Sequence, residues 1–173
     1  MNSAIIDFYL GKIPYKRGYT IDQIWNWDYA QLEDVHDYIQ WLFPLTQPSN
    51  FNPNAPILTQ SDIEQFHNSD ELKSRALTSF KTMLQFYGLQ CLENDNNLKI
   101  TPSDTFEERK LEWLNWGDHN HLRITRILTS LRLMGLENYA VAFFQCLEKI
   151  YRTEKDNIDA RSFEYWKNAV IQL

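Results

Sequence analysis

The sequence is poor in cysteine, glycine and proline, with 2 Cys, 5 Gly and 6 Pro among 173 residues. Cys91 and Cys146 lack the spacing of a zinc site or of a redox motif, so we expect no metal and no cofactor. Scarce glycine and proline leave few turn signals, which favours long helices over many short strands. No apolar run approaches the ~18 residues that span a bilayer. We therefore expect no transmembrane segment.

Positive charge is also in deficit, because 17 Lys+Arg stand against 23 Asp+Glu and the formal net charge is −6. This balance disfavours nucleic acid and anionic lipid as partners. The first residues have no basic stretch before their apolar run, and Asp7 interrupts that run, unlike a signal peptide. We expect a cytoplasmic protein that does not bind nucleic acid.

The length fits one domain of ordinary size, and we expect a single compact domain over residues 1–173. Aromatic residues make up 14% of the chain. Each aromatic side chain buries on the order of 150–250 Å², which suffices for a core without disulfides. The predicted fold class is all-α, with about eight helices.

Apolar residues recur at helical spacing along most of the chain. Between residues 28 and 43 they form a stripe of Leu32, Val35, Ile39 and Leu42. This spacing predicts one helix over 28–43, which Pro44 ends because the residue before a proline is pushed out of the helical region. Further helices are predicted over 3–10, 20–25, 59–68, 69–87, 106–114, 119–134, 136–153 and 160–171.

Two segments lack this periodicity. Residues 44–58 contain four of the six prolines, and we expect an ordered, proline-rich loop there, anchored by Leu45, Phe51 and Ile57. Residues 89–104 are mostly polar. They either contain a short strand or fold as a tucked loop.

The predicted helix over 119–134 combines apolar residues around much of its circumference with one polar face. That face carries His119, Arg123, Arg126 and Ser130. A guanidinium on a mostly buried helix is costly unless a carboxylate or several acceptors meet it. In one interpretation, acidic residues nearby form an internal ion-pair network with the arginines, the candidates being Glu33, Asp34 and Asp37. In the other, the face is a cationic pocket wall for a carboxylate or phosphate.

A second polar cluster belongs to the predicted helix over 28–43. His36 and Gln40 lie one turn apart on it, beside Asp37 and Trp41. Hydrogen-bonding groups mixed with rigid aromatic surface are typical of sites for small ligands or peptides, although buried polar residues that satisfy each other show the same pattern. We predict a ligand pocket between 28–43 and 119–134. Its candidate binding residues are His36, Asp37, Gln40, Trp41, His119, Asn120, Arg123 and Arg126.

The histidines do not predict a metal site. His36-Asp37 is similar to the His-Asp pair of helical metal-dependent phosphohydrolases, but those enzymes need an earlier histidine, and none precedes residue 36. His119 and His121 are two residues apart, which places their rings on different sides of a helix.

Sequence signatures of catalysis are also missing, since there is no Gly-x-Ser-x-Gly elbow and no glycine-rich phosphate loop. We expect a non-enzymatic binding protein with a small anionic or peptide ligand, and we assign no catalytic residue. One alternative is a protein-interaction scaffold with a protein partner. The other is an enzyme of unrecognised type, in which His36 or His119 is the general base and Arg123 or Arg126 holds an anionic substrate.

Three longer motifs follow one another along the chain: Tyr38-Ile-Gln-Trp-Leu-Phe-Pro44, Met83-Leu-Gln-Phe-Tyr-Gly88 and His119-Asn-His-Leu-Arg-Ile-Thr-Arg-Ile-Leu128. Together they resemble the conserved domain of the opioid growth factor receptor family, and the resemblance extends over nearly the whole chain. It implies a receptor-like, peptide-binding and signalling function. Vertebrate members are described as receptors for Met-enkephalin that restrain cell proliferation and associate with the nuclear envelope and nucleus.

Those vertebrate members continue into long tails after the domain, whereas this sequence ends with it. It also contains no Lys/Arg cluster of the kind that serves as a nuclear import signal. We expect a stand-alone, tail-less form that could be microbial. The nuclear localisation and the growth control of the vertebrate members are therefore weak guides to this chain. No residue-level role in binding or catalysis is implied by the resemblance.

Overall fold

The computed structural model describes residues 2–171. Within this range it contains ten helices and one antiparallel hairpin. In chain order they are α1 (Ala4–Tyr9), α2 (Ile21–Trp25), α3 (Tyr29–Asp34), α4 (Ile39–Leu42), α5 (Gln60–Asn68), α6 (Asp70–Phe86), β1 (Leu89–Asn94), β2 (Asn97–Pro102), α7 (Phe106–Trp113), α8 (His119–Leu133), α9 (Glu137–Thr153) and α10 (Ala160–Ile171). The prediction of a mostly helical protein is confirmed. The prediction of an all-α fold with about eight helices is confirmed only in part, because the described residues form ten helices and a two-stranded sheet.

Short polar side chains start several of these helices. Thr20, Asp28 and Thr59 each accept a hydrogen bond from the third amide of the helix that follows, in capping boxes completed by the side chain at that third position. Ser69 caps α6 in a simpler way, through the amide of Leu72. Local sequence therefore defines where these helices begin.

The centre of the fold is α8, which packs against both α9 and α10. Buried hydrophobic residues form one continuous cluster around it. Trp166 of α10 is fully buried, and its indole nitrogen donates to the main-chain oxygen of His121 at 2.9 Å. These contacts hold α8 rigidly, so side chains on its remaining face have a fixed position. Between residues 2 and 171, no helix has the length and apolar character needed to cross a membrane.

The predicted helix over 28–43 is two helices, α3 and α4. Val35 has an extended backbone at the end of α3, with φ −87° and ψ 126°. Leu32 and Ile39 of the predicted apolar stripe are nevertheless buried, as is Leu42. The break occurs because the last carbonyl oxygens of α3 bond to side chains from elsewhere, including the Tyr38 hydroxyl, which donates to Leu32 O at 2.8 Å.

Residues 89–102 form a hairpin, in which β1 and β2 pair in antiparallel register from Leu89 opposite Pro102 to Asn94 opposite Asn97. Of the two alternatives for this polar segment, the strand is the correct one. Its polar composition reflects exposure, because most hairpin side chains outside Leu89 and Ile100 are exposed or half-buried.

The proline-rich loop over 44–58 closes on itself through a bridge between Leu45 and Ile57, with Leu58 N donating to Leu45 O at 2.9 Å. The side chains of two predicted anchors are not buried, because Phe51 is 84% exposed and Ile57 is 46% exposed, and Ile57 holds the loop through its main chain alone. Leu58, the next residue, enters the core instead. The loop is thus held by its ends, and its middle lies at the surface.

Gly88 ends α6 with a φ of +76°, and a Cβ there would lie 2.8 Å from Phe106 Cα and Arg109 Cβ. Gly117 has a similar φ of +73° with nothing within 4 Å. Left-handed strain costs roughly 1–2 kcal/mol in an L-residue, and overpacking adds about 1–3 kcal/mol. We predict that Gly88→Ala lowers the free energy of unfolding in urea by more than Gly117→Ala, which has the strain alone. Equal losses contradict the close approach of α7 to Gly88.

His121 is buried, and its Nε2 donates to the carbonyl oxygen of Trp113 at 2.9 Å. Burial lowers the pKa of this imidazole from its ordinary value of 6.5. As the pH falls through that value, the unfolded chain takes up the proton first, so stability falls. We predict that His121→Gln loses less stability than the wild type between about pH 7 and pH 5, and that the two proteins have equal pH dependence above about pH 7.5. Unfolding in urea at each pH tests this, and parallel curves throughout contradict it.

Candidate functional site

A cavity of about 510 Å³ opens along the first half of α8. We call it the α8 cavity, and its other walls are the segment leading into α4 and the proline-rich loop. Its volume lies within the ~300–1,000 Å³ typical of small-molecule sites. The apolar lining residues are Ile39, Leu45, Phe51 and Leu122. The polar lining residues are His36, Gln40, Ser49, His119, Arg123, Thr125 and Arg126.

Arg123 projects from α8 to the end of α3 and is only 5% exposed. Its guanidinium donates to the carbonyl oxygens of Leu32 at 2.9 Å, Glu33 at 3.2 Å and Val35 at 3.1 Å. These carbonyls lie where α3 stops, so they lack helical donors and carry the negative end of the helix dipole. Arg123 thus acts as the C-terminal cap of α3, supplied from another helix.

Glu33 supplies the negative charge at this point. Its carboxylate lies 3.9 Å from the Arg123 guanidinium and 3.3 Å from Nε2 of His119, and it accepts a hydrogen bond from the Asn120 amide at 3.1 Å. Of the three carboxylates proposed as arginine partners, Glu33 therefore pairs with Arg123. Asp37 instead forms a salt bridge with Arg17, with Nε and Oδ2 separated by 2.8 Å.

His36 lies at the edge of this network, with its Nδ1 3.1 Å from the Arg123 guanidinium. Because arginine only donates, Nδ1 accepts, and the proton of the neutral ring is on Nε2. Burial lowers the pKa of His36, and the charges of Arg123 and His119 lower it further. The ring of His36 packs edge-on against that of His119, with centroids 5.3 Å apart. The cavity wall therefore holds a neutral imidazole that serves as a hydrogen-bond donor.

Arg126 lies one turn further along α8, and its surroundings differ. Its guanidinium donates to the carbonyl oxygen of Phe43 at 3.0 Å. Within residues 2–171 it has no second hydrogen-bond acceptor and pairs with no carboxylate. Burial lowers its pKa to about 10, so it remains a cation at neutral pH. Most of its five N–H donors are thus available to a molecule in the cavity.

Five of the eight candidate binding residues line the cavity: His36, Gln40, His119, Arg123 and Arg126. The other three have different surroundings. Asp37 pairs with Arg17, and Trp41 packs edge-on against Phe8 with ring centroids 5.3 Å apart. Asn120 is fully buried and bonds to both Glu33 and Arg123.

The proline-rich loop contributes a cavity wall that the sequence did not predict. Ser49 Oγ accepts hydrogen bonds from the amides of Phe51 at 3.3 Å and Asn52 at 3.2 Å, which forms a turn at the cavity mouth. On α8, Leu122 precedes Arg126 by one helical turn. That spacing was a usable signal for Leu122, whereas the loop contact depends on the path of the chain and has no local signal.

No group of three or more His, Cys, Asp or Glu side chains in the described part of the chain could hold a metal ion. The α8 cavity itself is lined by nitrogen donors and hydroxyl groups, and none of its lining residues is an aspartate or glutamate. The polar groups that the cavity offers are therefore mainly hydrogen-bond donors.

Comparison with known proteins agrees with the three sequence motifs. A family model described as the opioid growth factor receptor (OGFr) conserved region matches residues 1–172. The human opioid growth factor receptor is 37% identical over 172 residues, which cover 95% of this chain and 25% of the human protein. The opioid growth factor receptor-like protein 1 of Xenopus tropicalis is 36% identical over 165 residues, which cover 92% of this chain and 31% of that protein.

The mouse opioid growth factor receptor is 41% identical over 138 residues, which cover 78% of this chain and 21% of the mouse protein. No solved structure matches. The chain thus spans less than a third of the length of these curated relatives. The match over nearly the whole chain confirms the resemblance, and the chain belongs to the opioid growth factor receptor family.

Proposed function

We propose that this chain is a non-enzymatic, receptor-like binding domain and that the α8 cavity is its ligand site. The observation that carries the proposal is the composition of the cavity. Arg126 and His36 offer hydrogen-bond donors between apolar walls formed by residues such as Ile39 and Leu122. Concave, mostly apolar sites with a few converging polar groups are the usual form of ligand pockets.

The relatives support the receptor part of the proposal, because the human and mouse proteins are named opioid growth factor receptor. We propose on this basis that the ligand class is a short peptide or a small molecule with similar groups. The cavity volume of about 510 Å³ accommodates part of a short peptide rather than a folded partner.

The geometry argues against His36 as a general base. A general base needs an unprotonated nitrogen within reach of the substrate. In His36, Nδ1 already accepts from Arg123, and Nε2 carries the proton in the neutral ring. His119 directs its Nε2 toward the Glu33 carboxylate at 3.3 Å. His36 is therefore better suited to hold a ligand than to remove its proton.

We predict that a bulkier side chain at the cavity wall blocks ligand binding. Leu122 is 50% exposed at the cavity, and tryptophan in its place projects into the space a ligand would occupy. Titration calorimetry with Met-enkephalin is expected to show binding by the wild type and at least about tenfold weaker binding by Leu122→Trp, a loss of about 1.4 kcal/mol.

The matched control is Val141→Trp, which changes a residue of α9 that is 38% exposed and lies outside the cavity lining. It should bind as the wild type does, and circular dichroism should show that both variants are folded. If Leu122→Trp binds the peptide as tightly as the wild type does, the binding surface lies outside the α8 cavity. That result favours the alternative of a protein-interaction scaffold. If the wild type does not bind Met-enkephalin, the receptor part of the proposal is wrong.

A further inference from the structure

The charged side chains that line the α8 cavity have one sign. Two arginines and two histidines line it, and no aspartate or glutamate does. Glu33, just outside the lining, lies within 3.9 Å of Arg123 and within 3.3 Å of His119. Arg126 has no such partner in the described chain. The uncompensated positive charge of the cavity is therefore that of Arg126.

The number of free donors at Arg126 defines what it can bind. One guanidinium nitrogen, Nη1, donates to Phe43 O at 3.0 Å. The rest of the planar group presents parallel N–H bonds that match the two oxygens of a carboxylate. A single uncompensated guanidinium balances one negative charge, which fits a carboxylate better than a phosphate dianion.

Apolar surface lies beside this cation. Leu122 is one helical turn from Arg126 on the same face of α8, and Leu45 and Phe51 of the proline-rich loop complete the wall. An anion that binds Arg126 through bidentate contacts must therefore place whatever is attached to it against hydrocarbon.

Each carboxylate near the cavity already has partners within the fold. Asp118 lies 3.7 Å from Nδ1 of His119 and accepts from the main-chain amide of Asn120 at 2.8 Å. Asp37, one of the candidate binding residues, is held by Arg17 at 2.8 Å and by the Tyr15 hydroxyl at 3.4 Å, outside the cavity lining. The nearest carboxylate to the cavity wall, Glu33, is already shared by three donors. A cationic group on the ligand would instead face Arg126 without compensation.

We infer that the α8 cavity recognises a carboxylate attached directly to an apolar body, and that Arg126 binds this carboxylate while Leu45, Phe51 and Leu122 contact the apolar part. The inference rests on the ligand-binding function proposed above and narrows its ligand class. The same chemistry occurs in a free aromatic or aliphatic acid and at the C-terminus of a peptide that ends in an apolar residue.

The test compares each acid with its amide, which has the same shape and no charge. Titration calorimetry uses 4-phenylbutyrate against 4-phenylbutyramide for the small-acid source. N-acetyl-Phe-Leu with a free C-terminus against its C-terminal amide tests the peptide source. In at least one pair the acid should bind at least about tenfold more tightly than the amide, since hydrogen bonds to charged groups contribute this much. The pair with the larger ratio identifies the source.

Two arginine variants separate a specific contact from the net charge. Arg126→Gln should remove the preference for the acid. Arg152→Gln, which removes the same charge from an exposed site on α9, should leave the preference unchanged. Because Arg126 also bonds to Phe43 O, circular dichroism must show that Arg126→Gln is folded. Arg126→Lys is the second variant, and it should keep part of the preference because the positive charge remains without the bidentate geometry.

Equal affinities of acid and amide in both pairs overturn the inference, as does the absence of binding by either acid. Equal effects of Arg126→Gln and Arg152→Gln also overturn it, because the preference then comes from net charge. These outcomes differ from failure of the proposed function. If Leu122→Trp blocks a ligand for which the wild type shows no carboxylate preference, the cavity remains the binding site and its ligand class is wrong.

Discussion

The fold around the cavity depends on one buried cation. Arg123 donates to three carbonyl oxygens at the end of α3 and contacts the carboxylate of Glu33. A guanidinium buried to this extent is tolerated only when its donors and charge are met, and removal of one partner from such a network costs about 3–5 kcal/mol. The contact therefore ties α8 to α3 and stops α3 at Asp34. It also fixes His36, whose Nδ1 accepts from the same guanidinium, at the cavity wall.

The polar face of α8 repeats this arrangement along its length. Arg126 donates to Phe43 O, and the Ser130 hydroxyl donates to Pro44 O at 2.8 Å. Side chains on one rigid helix thus satisfy carbonyls where α3 and α4 end and where the following loop begins. The carbonyls of short helices such as α4, with only four residues, have few donors of their own. The cavity lies where this face of α8 is covered by the proline-rich loop and not by a helix.

Features with a local cause could be predicted from the sequence. The starts of α2, α5 and α6 have local signals in Thr20, Thr59 and Ser69, and the end of α6 has one in Gly88. The apolar stripe of 28–43 correctly predicted which residues are buried but wrongly predicted one continuous helix. The helix ends at Asp34 because Arg123 binds the last main-chain carbonyls of α3 instead of carboxylates alone. Carbonyls are the same in every residue, so no pattern of residue types reveals which of them will be free. The prediction that Phe51 anchors the loop was wrong for a related reason. A loop has no helical or strand periodicity, so its sequence does not show whether an apolar residue lies in the core or at a cavity mouth.

Arg123 and Arg126 are equivalent in the sequence, as two cations three residues apart on one helical face, yet they have different surroundings. The rotation between them on the helix directs Arg123 to the end of α3, where Glu33 and several carbonyls meet it, and directs Arg126 to Phe43 and the cavity. A structural arginine and an arginine proposed to bind a ligand can therefore share one motif, and the number of acceptors within the fold distinguishes them. By that criterion Arg123 fits the internal network, and Arg126 fits the proposed cationic pocket wall. Arg123 belongs to the network, and Arg126 is the residue whose charge a carboxylate ligand would balance.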